Sequence, residues 1–332
     1  MTYSRILREF KNKKILVIGD LILDRYIRGK VNRISPEAPV PIVEVTDEDF
    51  FLGGAANVAH NITVLGGHST IIGLTGNDRA GGILINILEN RGIKYEGVFR
   101  CSRPTTVKTR VIAHNQQVVR FDKEDSNKID GRVFRGLLEY ISKAIPDYDA
   151  VIISDYKKGV ISSELVRAVL KVSKPMNIFV SVDPKVSHFR FYKNVSLITP
   201  NIQEASVASG IEIKDENSLI NAGRTLLRKV SCDAVLVTRG EHGMSLFEKE
   251  KISHIPTVAR DVYDVTGAGD TVIATFTLAY AAGGNMEEAA VIANHTAGIV
   301  VGELGTAVVT PDQLRKSLSV NRDLKIRESS YA

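Results

Sequence analysis

The sequence predicts an α/β protein with a doubly wound, mostly parallel β-sheet, helices on both faces, and a small separate β-sheet that forms a lid. Short apolar runs rich in β-branched residues alternate with amphipathic stretches along the chain. These runs are apolar throughout, as in strands covered on both faces, and two further strand-like segments are not followed by helices. We expect one domain over residues 1–332, with the lid strands inserted in it.

The elements of the main sheet follow from this alternation. The predicted strands are Lys13–Asp20, His68–Gly73, Ala150–Ser154, Ile178–Asp183, Ser196–Thr199 and Ala234–Thr238. The predicted helices are Ser162–Ser173, Glu216–Val230 and an uncharged, buried helix over Thr271–Ala282. Polar residues follow several of the strands: Gly19-Asp20, Asp155, Asp183-Pro184-Lys185, Asn201 and Arg239-Gly240. Because ligands of such sheets bind beyond the carboxyl ends of the strands, we expect the site at this edge.

The lid is predicted from two segments rich in β-branched residues, with bounds of about 38–46 and 105–122. Val40–Val45 follows the proline-rich string SPEAPVP, and Val107–Phe121 predicts a hairpin that turns near residues 114–116. A small sheet leaves an apolar face that needs cover, and a second subunit would supply it. We therefore expect a homodimer through the lid strands.

Composition excludes several classes of protein. The formal net charge is +5 and the pI about 9.0, but the basic residues form no arm or stripe, so we expect no nucleic-acid partner. No run of 18 apolar residues predicts a membrane span, and the charged N-terminus lacks the apolar core of a signal peptide. Cys101 and Cys232 form no CxxC pair. We expect a cytoplasmic protein with no membrane partner.

The most informative segment is DVTGAGD, Asp264–Asp270, which precedes the uncharged helix. Its glycines leave backbone N–H groups uncovered at the positive end of that helix, where anions such as phosphate bind. Asp270 is the only charged residue between Asp264 and Glu287. A carboxylate beside a phosphate site is typical of a base that takes a proton from an attacking hydroxyl. The alternative is an Asp that only favours the helix dipole, by about 0.3–1 kcal/mol.

From Lys13 to Pro311 the chain resembles the ribokinase/phosphofructokinase-B family of carbohydrate kinases. Two motifs support the resemblance, GGAANVA (Gly53–Ala59) and DVTGAGD, which lie about 210 residues apart. Other strings resemble the kinase half of heptose phosphate kinase–adenylyltransferases: GDLILDRYIRG, RISPEAPVPIVEV, KTRVIAHNQQVVRFD, SDYKKGV and DPK. The HxGH-type signature of the nucleotidyltransferase half is absent, so we expect a stand-alone kinase.

The resemblance implies a ribokinase-like fold and ATP-dependent phosphorylation of D-glycero-β-D-manno-heptose 7-phosphate at its anomeric hydroxyl. The 1,7-bisphosphate product would serve ADP-heptose biosynthesis for lipopolysaccharide core or other surface glycans. ATP and Mg²⁺ are the implied cofactors, with K⁺ as a further candidate. Asp270 would be the base, and the amides of Gly267, Ala268 and Gly269 would hold the transferring phosphoryl group.

The resemblance also implies the substrate site. Asp20 and Asp24, the latter expected one helical turn on, would bind sugar hydroxyls, and the alternative is a turn at the end of the strand. Gly53 and Gly54 would let backbone approach the sugar and Asn57 would add an amide, unless the glycines serve only helix packing. The candidate cations for the sugar phosphate are Lys108, Arg110, Arg120, Lys157, Lys158 and Lys185, any of which could instead lie on a solvated face.

On the nucleotide side, the string Asn201-Ile202-Gln203-Glu204 matches the Asn-x-x-Glu of the family, in which Asn201 and Glu204 would hold Mg²⁺ through water. The alternative is a helix cap, and both can hold together. Thr238, Gly240 and Asn294 match segments that bind nucleotide. Asp264 and Thr266 match the region where relatives bind a monovalent cation.

Three other functions remain open. Another kinase of the same family could act on ribose, fructose, fructose phosphate or 2-keto-3-deoxygluconate. A catalytically silent sugar-binding regulator is disfavoured because the chain retains Asp270 and the Asn201/Glu204 pair. A dinucleotide oxidoreductase lacks its Gly-x-Gly-x-x-Gly, since Gly19 is followed by Asp20 and Leu21.

Overall fold

The structure, a computed structural model, describes residues 2–114, 116–125, 127, 129–259, 262–303, 307–321 and 324–329. Its strands are β1 (Lys14–Gly19), β2 (Leu21–Ile34), β3 (Pro41–Gly54), β4 (His68–Gly76), β5 (Lys94–Cys101), β6 (Thr106–Ala113), β7 (Gln116–Lys123), β8 (Ala150–Ser154), β9 (Phe179–Asp183), β10 (Leu197–Ile198), β11 (Ala234–Thr238), β12 (Met244–Phe247), β13 (Ile252–Ile255) and β14 (Arg327–Ser329). Its helices are α1 (Thr2–Glu9), α2 (Ala55–Val64), α3 (Arg79–Asn90), α4 (Gly131–Ala144), α5 (Ser163–Ser173), α6 (Ile202–Ser209), α7 (Glu216–Val230), α8 (Ala268–Ala281), α9 (Met286–Val300) and α10 (Pro311–Val320).

The described part of the main sheet has ten strands in the order β14-β13-β12-β11-β10-β9-β8-β1-β4-β5. Strands from β11 to β5 pair in parallel, whereas β12, β13 and β14 add an antiparallel edge. Gly19 pairs with Ser154, and Ser154 pairs with Asp183, so the carboxyl ends of β1, β8 and β9 lie side by side. The predicted, mostly parallel sheet is confirmed.

Helices cover both faces of this sheet because its strands are apolar on both. In β1, Ile15 and Val17 pack into the core layer beneath α2, α8 and α9, whereas Leu16 and Ile18 pack into the layer beneath α4, α5 and α7. All four side chains are fully buried. A strand covered on both faces has no polar side, which is why the predicted strands were apolar throughout.

The lid is a separate four-stranded sheet in the order β3-β2-β6-β7. β2 pairs antiparallel with β3 and parallel with β6, and β7 returns along β6 as the predicted hairpin. Of the predicted turn, His114 and Gln116 are described and Asn115 lies outside the described residues.

The predicted lid lacked β2, and its first segment was too short. We expected Asp24 one helical turn after Asp20, but Leu21–Ile34 is a strand, and β3 runs on to Gly54. Five charged side chains interrupt β2, so it shows no continuous apolar run, and its pairing with β3 and β6 stabilises it instead. Within the described residues, no helix has the length and hydropathy needed to cross a bilayer.

Candidate active site

The candidate site lies at the carboxyl edge of β1, β8 and β9, where the first turns of α2 and α8 converge. Gly267 caps α8 in the left-handed conformation (φ 78°), and the helix begins at Ala268, three residues before the predicted start. Asp270 is therefore in the first turn, as predicted, and its side chain is buried, 3% exposed. The helix that follows is apolar and buried, so it presents a fixed positive end to this edge.

Two donors hold the carboxylate of Asp270. The side-chain amide of Asn57 donates to Oδ2 at 2.8 Å, and the phenol of Tyr156 donates to Oδ1 at 2.8 Å. Burial raises the pKa of Asp270 to about 6, with a further contribution from the negative charge of Asp24. The two donors and the positive charge of Lys108 act in the opposite direction. A carboxylate with this pKa is ionised near neutral pH and still basic enough to accept a proton.

The glycine-rich turn before α8 is already hydrogen-bonded. The amide of Ala268 donates to the Val265 carbonyl at 3.2 Å, and the Asp264 carboxylate accepts the amide of Thr266 at 2.8 Å. The amide of Ala268 would have to leave Val265 in order to bind a phosphoryl oxygen. Beside Gly269 there is open space, since a Cβ built there meets no atom within 4 Å.

Asn57 contacts Asp270, the predicted base, and we did not predict this contact. Asn61 supports it by donating from Nδ2 to the Asn57 carbonyl at 2.9 Å, and Thr271 donates to Oδ1 of Asn61 at 3.0 Å. These bonds lock the first turns of α2 and α8 together around Asp270. The predicted contact of Asn57 with a sugar stays a prediction.

Asp20 is 1% exposed and faces the loop that follows β8. Its carboxylate accepts the backbone amides of Tyr156 at 2.9 Å, Lys158 at 3.0 Å and Val160 at 3.0 Å. Burial raises its pKa, and the three amides oppose that rise. The geometry therefore favours the turn-forming alternative for Asp20 over contact with a sugar hydroxyl.

The same loop is held from its other side by Asp155. Its carboxylate accepts the amide of Lys157 at 2.8 Å and the phenol of Tyr192 at 2.6 Å, and Nδ1 of His188 lies at 2.7 Å.

Tyr156 is the site residue we missed. From the string SDYKKGV we predicted only the lysines as site residues, because no local sequence pattern indicates that the tyrosine faces Asp270.

The two glycines at the end of β3 are required by close packing against β2. A Cβ on Gly53 would lie 2.2 Å from Oδ2 of Asp24, and one on Gly54 would lie 2.6 Å from the Asp20 carbonyl. Gly54 also adopts a positive φ of 56°. The packing alternative is thus sufficient for both glycines, and their approach to a sugar stays a prediction.

Three predicted cations share one face of the lid. Asp24 pairs in register with Lys108, Lys108 with Asp122, and Arg110 with Arg120, and paired residues point to the same side of a sheet. Nη1 of Arg110 lies 2.5 Å from Oδ1 of Asp24, which is buried. Arg120 forms a two-bond ion pair with Asp122, at 2.6 and 2.9 Å.

Two lysines complete this side of the site. Nζ of Lys108 lies 5.0 Å from the centre of the Tyr156 ring, and burial lowers the pKa of Lys108. Lys158 forms an ion pair with Glu124. The exposed Lys157, in the same loop, has a left-handed backbone (φ 57°). One cluster is therefore formed by Asp270, by the loop that follows β8 (the β8 loop) and by the face of the lid that carries Lys108, Arg110 and Arg120 (the lid face).

Several of the residues predicted to bind the nucleotide lie at the ends of β10 and β11. Asn201 caps α6 and forms a capping box with Glu204: each side chain accepts the other's backbone amide, at 2.9 and 3.1 Å. Ile202 is half-buried and Gln203 exposed in the first turn. Thr238 lies beside Asn201 through an isolated parallel bridge.

Two further predicted nucleotide residues differ in accessibility. Gly240 is exposed in a positive-φ turn, at 58°, after β11. Asn294 is buried in α9 and donates to the Pro256 carbonyl at 2.8 Å. That bond gives Asn294 a structural role, and a nucleotide contact would require it to change partner.

Comparison with known proteins identifies the family. Residues 12–313 match the family described as pfkB family carbohydrate kinase. The chain belongs to this family. Bifunctional protein HldE of Citrifermentans bemidjiense is 46% identical to this kinase over 303 residues, covering 91% of this chain and 62% of that protein. Bifunctional protein HldE of Helicobacter hepaticus is 44% identical, over 92% of this chain and 64% of that protein. The kinase thus spans less than two thirds of these curated relatives.

Solved structures share its fold. Phosphofructokinase-2 from Escherichia coli, in complex with substrates and products, superposes on this kinase with a TM-score of 0.78 at 20% identity, over 93% of this chain and 99% of that one. Ribokinase from Arabidopsis thaliana, complexed with ribose and ATP, superposes with a TM-score of 0.74 at 20% identity, over 92% and 98%. The predicted ribokinase-like fold is confirmed.

Within the described residues, no group of three or more His, Cys, Asp or Glu side chains is placed to hold a metal ion directly, so a divalent cation would be bound here mainly through water. Burial raises the pKa of Asp183 well above its ordinary value, and the negative charges of Asp270, Glu204 and Asp155 raise it further. Lys185, at the end of the same strand, opposes this rise for both Asp183 and Glu204. Lys185 is thus placed near this acidic group. The charge of carboxylates that repel one another near a helix N-terminus is what a bound Mg²⁺ ion would neutralise.

Proposed function

We propose that this pfkB-family kinase transfers the γ-phosphoryl group of ATP to the anomeric hydroxyl of D-glycero-β-D-manno-heptose 7-phosphate. The family establishes a carbohydrate kinase. The observation that supports the proposal is the position of Asp270, which is buried at the N-terminus of α8, accepts a hydrogen bond from Tyr156 and is influenced by the positive charge of Lys108 from the lid. The strings shared with heptose phosphate kinase–adenylyltransferases, together with relatives named bifunctional protein HldE, favour a heptose phosphate.

In this proposal Asp270 takes the proton of the anomeric hydroxyl while that oxygen forms its bond to phosphorus and ADP departs. Asn57 and Tyr156 fix the orientation of the carboxylate, so little reorganisation is needed at the moment of transfer. The amides at the start of α8, from Gly267 to Gly269, would hold the phosphoryl oxygens at the positive end of the helix, once that of Ala268 has left the Val265 carbonyl.

The lid cations would bind the 7-phosphate. Lys108, Arg110 and Arg120 lie on the face that carries Asp24, and Lys158 approaches from the β8 loop. A dianionic phosphate would compete with Asp24, Asp122 and Glu124 for these cations, and Arg can bind it with two parallel bonds. A neutral sugar would need no such exchange.

Mg²⁺ would be held by Asn201 and Glu204 at the start of α6, acting through water. The capping box leaves each side chain with acceptor capacity, since a carboxylate or amide oxygen has more than one lone pair. When bound, Mg²⁺ neutralises charge on the nucleotide phosphates. Asp264 and Thr266 are proposed for a monovalent cation such as K⁺, and Thr238, Gly240 and Asn294 for the nucleotide.

A second candidate is a kinase of the same family that acts on an unphosphorylated sugar. The observation in its favour is that Arg110, Arg120 and Lys158 each already pair with a carboxylate. These pairs would then stabilise the lid and play no part in binding phosphate. Asp270 would remain the base in either case.

The deciding experiment measures ADP release with Mg-ATP and a panel of sugars. The panel contains the manno-heptose 7-phosphate, sedoheptulose 7-phosphate, fructose 6-phosphate, ribose, fructose and 2-keto-3-deoxygluconate. We expect the highest kcat/KM with the manno-heptose phosphate and a 1,7-bisphosphate product. Turnover confined to an unphosphorylated sugar would favour the second candidate. Folded protein that binds ATP but turns over none of them would favour a silent regulator.

The dimer is part of the same proposal. Val45, Val119 and Phe121 lie on the lid and are 59%, 48% and 51% exposed, which is unusual for large apolar side chains on one small sheet. A second lid would cover them. We expect the mass of a dimer at micromolar concentration and of a monomer for Phe121→Asp. A monomeric mass for the unmodified protein would contradict this.

A further inference from the structure

The carboxylate of Asp20 organises the β8 loop by accepting hydrogen bonds from its backbone amides. Loops of other proteins bind external anions with their amides in the same way. The left-handed backbone of Lys157 and the positive φ of Gly159, 57° and 93°, let nearby amides turn toward one point. Those of Tyr156, Lys158 and Val160 converge on the Asp20 carboxylate, which is 136 to 140 positions away in sequence. The conformation of the loop therefore depends on a buried carboxylate at the end of β1.

The β8 loop places the side chain of Tyr156 against Asp270. Its hydroxyl donates to Oδ1 of Asp270, while Oδ2 receives Asn57. The face of its ring receives Nζ of Lys108 from the lid. One tyrosine thus contacts the base with its hydroxyl and a lid cation with its ring.

We infer that Tyr156 is a positioning residue for the base, and that Asp20 acts by holding the loop that carries Tyr156, not by binding the sugar. This inference rests on the proposed role of Asp270 as the base. The phenol lowers the proton affinity of Asp270 and limits its rotation, because a rotated carboxylate would lose one of its two donors. The ring places Lys108 close to the same carboxylate.

A purely structural role for Tyr156 makes a different prediction. If the phenol only satisfied a buried donor, its removal would change stability and leave the ionisation of Asp270 unaffected. The readout must therefore be the titration of the Asp270 carboxyl. This can be followed by ¹³C NMR of protein labelled at aspartate Cγ, with the signal assigned through Asp270→Asn.

The experiment compares Tyr156→Phe, Asp20→Asn and the double variant with the unmodified protein. Tyr156→Phe keeps the ring and its contact with Lys108, and removes only the donor. Because that donor lowers the pKa of Asp270, we expect the pKa to rise and the acidic limb of kcat/KM to move to higher pH. The loss should be roughly five-fold greater at pH 6 than at pH 8. Tyr140→Phe, which removes a hydroxyl from the outer helix α4, is the matched control and should leave the limb in place.

Asp20→Asn tests the second half of the inference. An amide cannot accept all three backbone N–H groups as the carboxylate does, so the loop should loosen and the limb should shift in the same direction. If Asp20 acts through Tyr156, the double variant shifts the limb no further than Tyr156→Phe alone. An Asp20 that binds sugar would instead lower kcat/KM equally at every pH, and its effect would add to that of Tyr156→Phe.

The proposed function and the inference about Tyr156 can fail separately. If the unmodified protein phosphorylates no sugar, the proposed function is wrong, but the NMR titration still reports whether Tyr156 controls the ionisation of Asp270. If the protein is active and Tyr156→Phe changes neither the titration nor the limb, the inference is overturned. Thermal unfolding of each variant verifies that it is folded.

Discussion

Arg110 and Asp24 form an ion pair between adjacent lid strands, with 2.5 Å between Nη1 and Oδ1 and only 15% and 6% of the side chains exposed. The guanidinium also lies 5.2 Å from the centre of the Tyr26 ring. Asp24 was predicted to bind sugar hydroxyls, and in the proposed function substrate binding at this position would involve both members of the pair. In the proposed function, the lid is therefore part of the substrate site.

Removing Arg110 should therefore affect both binding and stability. We expect Arg110→Ala to raise the KM for the sugar phosphate by roughly ten-fold or more, because a charged, desolvated contact is lost. It should also lower the free energy of unfolding by about 3 kcal/mol, since Asp24 is left buried without its partner. Adding Asp24→Asn should restore part of that stability. Steady-state kinetics and urea denaturation measure the two effects.

Arg25→Ala is the matched control, because Arg25 belongs to the same lid sheet but pairs with Glu48 at the surface. It should change the sugar-phosphate KM by less than about two-fold, as expected for an exposed pair. If Arg110→Ala and Arg120→Ala both leave that KM unchanged, the lid cations do not bind the phosphate.

Asp270→Asn should lower kcat by roughly 10²- to 10⁴-fold, the usual effect of losing a general base. Burial should be preserved, because the amide has nearly the same shape as the carboxylate and can still accept a hydrogen bond. Single-turnover measurements with the best sugar of the panel provide the test. Near-normal turnover in folded Asp270→Asn would remove the assignment.

The same substitution should change how stability depends on pH. The folded-state pKa of Asp270, about 6, is above its ordinary value of 3.8, so ionising this buried group destabilises the fold. The unmodified protein should lose stability relative to Asp270→Asn as pH rises from about 4 to 6, with no further change above pH 7. Chemical denaturation at pH 4.5, 6 and 8 measures this. A difference that is independent of pH would show that Asp270 has an ordinary pKa.

Glu204 combines a structural and a proposed metal-binding role, and two substitutions separate them. Glu204→Gln can keep the capping box, since Gln also serves at this position, but removes the charge. We expect it to raise the Mg²⁺ concentration for half-maximal activity by roughly ten-fold with little change in Tm. Glu204→Ala should have the same kinetic effect and also destabilise α6. Equal Mg²⁺ dependence in Glu204→Gln and the unmodified protein would leave only the capping role.

A substitution at Gly53 tests how closely β2 and β3 must pack where they meet the candidate site. An alanine Cβ would lie 2.2 Å from Oδ2 of Asp24, so Asp24 would have to turn and weaken its pair with Arg110. We expect Gly53→Ala to cost about 1–3 kcal/mol in the free energy of unfolding and to raise the sugar KM. Gly82→Ala in α3, where no atom lies within 4 Å, should be neutral or stabilising by about 0.5–1 kcal/mol.

Much of the fold could be predicted because its signals are local. The bounds of β8 and α7 agree with the predicted segments, and α8 starts with the glycine-rich turn that places Asp270 at its positive end. Strand β2 could not be predicted in the same way. Its charged residues occur along most of its length, and only pairing with β3 and β6 makes Leu21–Ile34 a strand.

The sequence by itself determined the two-faced parallel sheet, the family, and the candidate base, since continuous apolar strands and a glycine-rich helix start are written in neighbouring residues. Only the tertiary structure decided which side chains meet there. Tyr156 lies 114 positions from Asp270, Asn57 lies 213 positions from it, and Arg110 lies 86 positions from Asp24. Such contacts depend on strand register and on the conformation of a loop held by Asp20. Hydrogen bonds of this kind leave no periodic pattern in the chain, because each joins single residues from separate elements.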